Sequence, residues 1–118
     1  GSHAKIQETL MKSITPRGLH DLLAAGLPVA LLDVREPQER EVSHIGGLHV
    51  PMGDVPLRLQ ELKEELDAQS QIVVYCRSGK RSAAVVSLLE SAGLTNVYNL
   101  EGGMKAWRDA IDPTLPVA

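Results

Sequence analysis

The stretch Ile72-Val73-Val74-Tyr75-Cys76-Arg77-Ser78-Gly79-Lys80-Arg81-Ser82 decides the fold. Its first four residues are apolar and mostly β-branched, which suits a central parallel strand buried on both faces. Its last seven are small, cationic or glycine. They lead into Ser82–Ala92, an apolar-rich run closed by Gly93 that reads as a helix. A buried strand handing over to a helix through a tight polar loop is the unit from which parallel α/β sheets are built.

The flanking sequence repeats that alternation. Ser13-Ile14-Thr15 reads as a short strand. A helix opening at Thr15 or Pro16 places Leu19, Leu22 and Leu23 on one face and stops at Gly26. Val29–Val34 reads as a buried strand, Pro37–Val42 as one helical turn, and His44–Val50, with Gly46-Gly47, as a loop running into another short strand. Pro56–Leu66 reads as an amphipathic helix with Leu57, Leu59, Leu62 and Leu66 facing the core and Glu61, Lys63, Glu64 and Glu65 solvated. Val97-Tyr98 reads as a strand edge. Gly103–Ile111 reads as a last helix carrying Met104 and Trp107. The Pro-rich end, Asp112–Ala118, is expected to be extended. The fold class expected is therefore α/β, a central parallel sheet with helices on both faces.

Composition narrows the function. The chain has 118 residues, the size of one domain. Gly1-Ser2-His3 looks like a tag remnant, so residues 1–4 are expected to be a disordered start and 5–118 a single domain. Twelve Lys+Arg against fifteen Asp+Glu leave no basic footprint for nucleic acid or anionic lipid. No apolar run approaches the roughly 18 residues of a membrane helix. One cysteine excludes an internal disulfide and a Cys-rich zinc site, so no metal is expected, and a reducing, cytoplasmic setting fits. With no Phe, two Tyr and one Trp, the core must be aliphatic, and base stacking has no platform. No apolar surface stripe is evident, so a monomer is expected.

The chemistry concentrates in the loop after the central strand. Ligands in open α/β sheets bind beyond the carboxyl ends of the strands. A tight loop there turns backbone N–H groups inward, beside the positive end of the next helix. Gly79 permits the turn, and Ser78 and Ser82 add short hydroxyls. From Ala68 to Leu89 there is no Asp or Glu, yet Arg77, Lys80 and Arg81 fall in this span; without them nine Lys+Arg face fifteen Asp+Glu. Amides, helix terminus and cations would all favour thiolate over thiol at Cys76, and the thiolate is the nucleophile. A lone cysteine at a strand end is more often a small buried hydrophobe; the loop around it shifts the balance toward catalysis. A Cys–His pair using His44 is compatible with composition, but nothing in the sequence brings His44 near.

The ordered motifs resemble the single-domain rhodaneses, a sulfurtransferase family. Leu31-Leu32-Asp33-Val34-Arg35-Glu36 resembles that family's strand and turn, and His44-Ile45-Gly46-Gly47 its amino-side signature. Cys76 to Ser82 resembles its active loop, and Leu100-Glu101-Gly102-Gly103 with Trp107 its carboxyl-side signature. Four residues separate Cys76 from Arg81, where related cysteine phosphatases have five; the shorter ring suits one sulfur atom rather than a phosphate.

The resemblance implies a ping-pong sulfurtransferase with no cofactor beyond a covalent persulfide on Cys76, cradled by Arg77, Ser78, Gly79, Lys80, Arg81 and Ser82. Arg81 could instead bond loop carbonyls, and Lys80 is expected to be solvated. Asp33 and Arg35 would support the loop, Asp33 by accepting loop N–H groups or pairing with Arg35. His44, Trp107 and the glycines 46, 47, 102 and 103 read as scaffold. Arg40, Leu48 and Met104 depart from the family pattern, where an aromatic, an alanine and a larger residue are common.

The tail from Trp107 to Pro116 resembles rhodanese domains fused behind an adenylyltransferase in molybdopterin, thiamine or thiolated-tRNA synthesis. That likeness implies a C-terminal domain excised from such a protein. Its sulfur donor would be thiosulfate or a cysteine desulfurase persulfide, and its acceptor cyanide, a thiol or a ubiquitin-like sulfur-carrier protein. The rival expectations are a non-catalytic interaction module on the same scaffold and a cysteine-dependent phosphatase or arsenate reductase.

Overall fold

A computed structural model describes residues 12–66 and 71–118. The expected tag remnant and disordered start, residues 1–4, lie outside the described residues. In chain order the elements are β1 (Ser13–Ile14), α1 (Pro16–Ala24), β2 (Ala30–Asp33), α2 (Pro37–Val42), β3 (Leu48–His49), a 3-10 turn (Met52–Asp54), α3 (Leu59–Leu66), β4 (Ile72–Tyr75), α4 (Lys80–Ser91), β5 (Val97–Leu100) and α5 (Gly103–Ala110). The five strands form one sheet in the order β1-β5-β4-β2-β3, every pair parallel. The register sets Ala30 against Ile72, Asp33 against Tyr75, and Ile72 against Val97.

The β4 run earns its central place by burying both faces. Ile72, Val74 and Cys76 join one core with Leu62 and Leu66 of α3 and Val85, Val86 and Leu89 of α4. Val73 and Tyr75 join the other, with Leu19 of α1 and Met104 and Trp107 of α5. The period-two alternation of a strand therefore feeds two cores at once. Helices cover both faces, as expected. Because all strands point the same way, the segments after β2, β4 and β5 emerge along one sheet edge, and the candidate site lies there.

Several local expectations need correction. β5 is no edge strand; it hydrogen-bonds to β1 on one side and β4 on the other. Leu57 is 84% exposed. The helix starts at Leu59, and Leu59, Leu62 and Leu66 recur at helical spacing, whereas a residue two before Leu59 falls on the opposite side. In α1 burial is confined to Pro16 and Leu19, and Leu23 is exposed. The helix after β4 begins at Lys80, two residues early, so Lys80 and Arg81 form its first turn and the free loop shrinks to Cys76–Gly79.

Candidate active site

Cys76 follows the last residue of β4, with only 1% of its surface exposed. Apolar side chains pack one side of it. The other side is polar. The Gly79 amide donates to Sγ at 3.0 Å and the Ser82 amide at 3.4 Å, while Ser82 Oγ lies 3.3 Å away. Burial alone would push the thiol up. Hydrogen bonds from Ser82 Oγ and from the amides of Ser82, Gly79 and Ser78 outweigh it and hold Cys76 below the ordinary thiol range. Amides aimed at one sulfur favour its anion, and a hydroxyl adds to them when its proton turns to the sulfur.

Two glycines make that aim geometrically feasible. Gly79 caps α4 with φ +99°, in the left-handed region. That turn aims its own N–H at Sγ, beside the Ser82 amide of α4. Gly103 has φ +57° and opens α5 directly beneath the loop: a Cβ there would lie 2.4 Å from the Cys76 carbonyl oxygen and 2.7 Å from Arg77 backbone atoms. With only hydrogen at that position, Met104 N donates to the Cys76 carbonyl at 2.9 Å and Lys105 N to the Arg77 carbonyl at 3.0 Å. The start of α5 thus takes up the outward carbonyls of the loop, leaving its N–H groups to point inward.

Of the three cations, Lys80 is exposed as expected, while Arg77 and Arg81 take partners the sequence did not indicate. Arg81 makes a two-pronged pair with Glu39 of α2, at 2.7 and 2.8 Å, rather than bonding loop carbonyls. The Arg81 bond, against partial burial, holds Glu39 down to about 2. Arg77 Nε donates to the Ala118 carbonyl at 2.6 Å. Lys80 and Ser78 are exposed. The groups that touch the sulfur are therefore the amides of Ser78, Gly79 and Ser82 and the Ser82 hydroxyl, and the cations form an outer ring.

Asp33 takes the second of its two expected roles. It does not reach the Cys76 loop; both its oxygens go to Arg35, whose backbone N (3.0 Å), Nε (2.9 Å) and second guanidinium nitrogen (2.9 Å) all donate to it. Asp33 and Arg35 are fully buried. Arg35 also donates to the Ser43 carbonyl at 2.7 Å, and Arg40 links Asp33 to the Gly47 carbonyl. This cluster pins both ends of α2, and with them Glu39. His44 Nδ1 accepts from Gly46 N within its own loop, the scaffold role expected of it. Trp107 is core. A cavity of about 750 Å³ opens between α2, the loop carrying His44 and the tail at Leu115-Pro116, and it does not include Cys76.

Sequence reasoning missed two residues. Glu39 was signalled by the Glu36-x-x-Glu39 spacing that closes a capping box on α2, though its pairing with Arg81 is a tertiary fact. Asn99 sits on the same face of β5 as Val97, near the strand's carboxyl end, and bonds both Ser82 and Gly79. A polar residue inside a buried strand was the available signal.

A parallel α/β sheet whose central strand delivers a cysteine into a four-residue amide loop defines a small class of proteins. The chain belongs to the rhodanese-like family: the model of the rhodanese-like domain matches residues 15–110. Among its relatives, the putative sulfurtransferase YtwF of Bacillus subtilis is 38% identical over 104 residues, covering 87% of this chain and 96% of that protein. The probable adenylyltransferase/sulfurtransferase MoeZ of Mycobacterium tuberculosis is 36% identical over 106 residues, and this chain spans 26% of its length. The crystal structure of a rhodanese-like domain protein from Staphylococcus aureus superposes with a TM-score of 0.73 at 33% identity, covering 92% of this chain and 99% of that one. Family membership and relatives named as sulfurtransferases assign the chain to sulfur transfer in general. Among the described residues no helix is long and apolar enough to cross a membrane.

Proposed function

We propose that this chain moves sulfane sulfur through a persulfide on Cys76. The observation that carries the proposal is the convergence of the Gly79 amide, the Ser82 amide and the Ser82 hydroxyl on one buried sulfur. In the first half-reaction the Cys76 thiolate attacks the outer sulfur of thiosulfate. An Sγ–S bond forms, the S–S bond of the donor breaks, and its electron pair leaves with sulfite. In the second, a nucleophile such as cyanide takes the terminal sulfur as thiocyanate, and the electron pair of the persulfide bond returns to Sγ. No general base is needed, because the attacking group is already an anion. Amides preorganised around the sulfur serve both the thiolate and the persulfide anion. The outer ring of Arg77, Lys80 and Arg81 attracts anionic donors.

A protein persulfide can replace thiosulfate in the same step, with a thiolate as leaving group. The likeness to MoeZ supports a ubiquitin-like sulfur-carrier protein as acceptor, its carboxyl end activated by an adenylyltransferase as the neighbouring activity. The cytoplasm is the proposed setting. The compact cradle also favours sulfur over phosphate chemistry. Thiocyanate formation from thiosulfate and cyanide is the expected activity; it disappears in Cys76→Ser while circular dichroism stays unchanged. Full activity in that variant, or hydrolysis of a phosphate ester in preference to sulfur transfer, overturns the proposal.

A further inference from the structure

Ser82 carries one hydroxyl proton, and two neighbours can accept it. Its Oγ lies 2.5 Å from Asn99 Oδ1 and 3.3 Å from Cys76 Sγ. The orientation of the amide is fixed by its other contact: Asn99 nitrogen is 3.1 Å from the Gly79 carbonyl, which can only accept, so Nδ2 faces Gly79 and Oδ1 faces Ser82. In that arrangement Ser82 donates to Asn99 and turns lone pairs toward the sulfur. This suits a thiol, whose hydrogen can point at Ser82 Oγ, and opposes a thiolate. Ser82 is fully buried, so water cannot supply the missing donor.

We infer that Asn99 is a positioning residue that competes with the sulfur for the Ser82 proton: the hydroxyl points at Asn99 while Cys76 is a thiol and turns to Sγ when the sulfur becomes an anion. Ionisation then leaves Asn99 Oδ1 without its donor, a cost borne by the anion alone. The Asn99–Gly79 bond keeps the amide from rotating to escape that cost. Asn99 thus restrains the thiolate in the resting protein. The charged groups around the cluster are Arg77, Lys80 and Arg81 on its own loop and helix, Lys105 from α5, and Glu36 and Glu39 from α2 by way of Arg81. On its apolar side Cys76 belongs to a core that includes Val34, Val50 and Val55. Changing Asn99 alters none of these.

The inference rests on the sulfur-transfer reading only for its purpose, because thiol ionisation is measured without any sulfur donor. Cys76 is the sole cysteine, so ultraviolet thiolate absorption, followed at pH below tyrosine ionisation, reports it alone. Asn99→Val should leave Ser82 free to donate to the sulfur, giving about threefold to tenfold more thiolate at a pH below the midpoint. The same substitution in a Ser82→Ala background should lose that gain. A merely structural loss of the Asn99–Gly79 bond moves both backgrounds alike. Equal shifts in the two backgrounds, or less thiolate in Asn99→Val alone, overturn the inference. Asn99→Leu, which shares the γ-branched shape of asparagine, replaces the valine if that variant does not fold. Failure of the sulfur-transfer reading would show separately, as a normal titration in a protein that takes no sulfur.

Discussion

Two neighbouring strands end at the same sheet edge and lead into helices, yet their loops solve opposite problems. After β2, the buried carboxylate of Asp33 is cancelled on the spot by the guanidinium of Arg35. After β4, the buried sulfur of Cys76 meets no cation within hydrogen-bonding reach among the described residues; it meets amides and a hydroxyl. The first loop satisfies its charge permanently and becomes scaffold. The second leaves room for a negative charge to come and go, which a nucleophile that must be loaded and unloaded requires. Arg81 joins the two, since its partner Glu39 stands on the helix that the Asp33–Arg35 pair anchors.

The sharpest way to break this contrast is to remove the scaffold cation. Arg35→Ala leaves the fully buried carboxylate with Arg40 as its remaining cation, and we expect up to about 3–5 kcal/mol of lost stability by urea denaturation. A loss under 1 kcal/mol would mean that Asp33 finds water or another partner and that the two loops are less different than their contacts indicate.

Gly103→Ala attacks the other loop through its floor. The added methyl cannot coexist with the Cys76 carbonyl, so loop or helix must shift. Sulfur transfer should fall roughly 10- to 100-fold in steady-state assays, because the amides lose their aim. Gly79→Ala is the useful comparison. Its nearest contact would be an ordinary 3.4 Å, so only the strain of positive φ remains, about 1–2 kcal/mol. If both variants behaved alike, close approach at Gly103 would not be what seats the loop.

The smallest effect is expected at the bridge between the regions. Glu39 titrates near 2 in the folded protein against an ordinary value of 4.5, so the fold gains from its ionised form. That contribution is complete above about 4.5 and is lost as pH falls from there toward 2. Solvent screens the pair, since the Arg81 side chain is 31% exposed, and about 1–2 kcal/mol is a reasonable size. Urea midpoints measured from neutral to acid pH should show this loss in the native protein and a flatter acid limb in Glu39→Gln. Parallel pH curves would remove Glu39 from the account.

The sheet was legible because its central strand is an apolar, mostly β-branched run between polar stretches, and the periodic helices followed from their leucines. The Cys76 loop was legible for a different reason: small, cationic and glycine residues between a buried strand and a helix have few other uses. Leu57 misled because counting apolar residues from Pro56 ignored that it stands two positions from Leu59, on the far side of the turn. The roles of the cations were not legible. Sequence shows that Arg81 is near Cys76 along the chain, but its partner Glu39 is 42 residues away. Pairing of Asp33 with Arg35, two residues away, was one of two roles the sequence left open, and it is the one the contacts show. Asn99 escaped because a hydrogen bond to a serine in another element leaves no spacing signal.

The central claim is that the amide-lined sulfur of Cys76 carries the transferred atom. Intact mass spectrometry of the protein after thiosulfate tests it directly. A gain of one sulfur, about 32 Da, that disappears on adding a thiol and is absent from Cys76→Ser is the predicted result. No mass gain in the native protein, or the same gain in the serine variant, would contradict it.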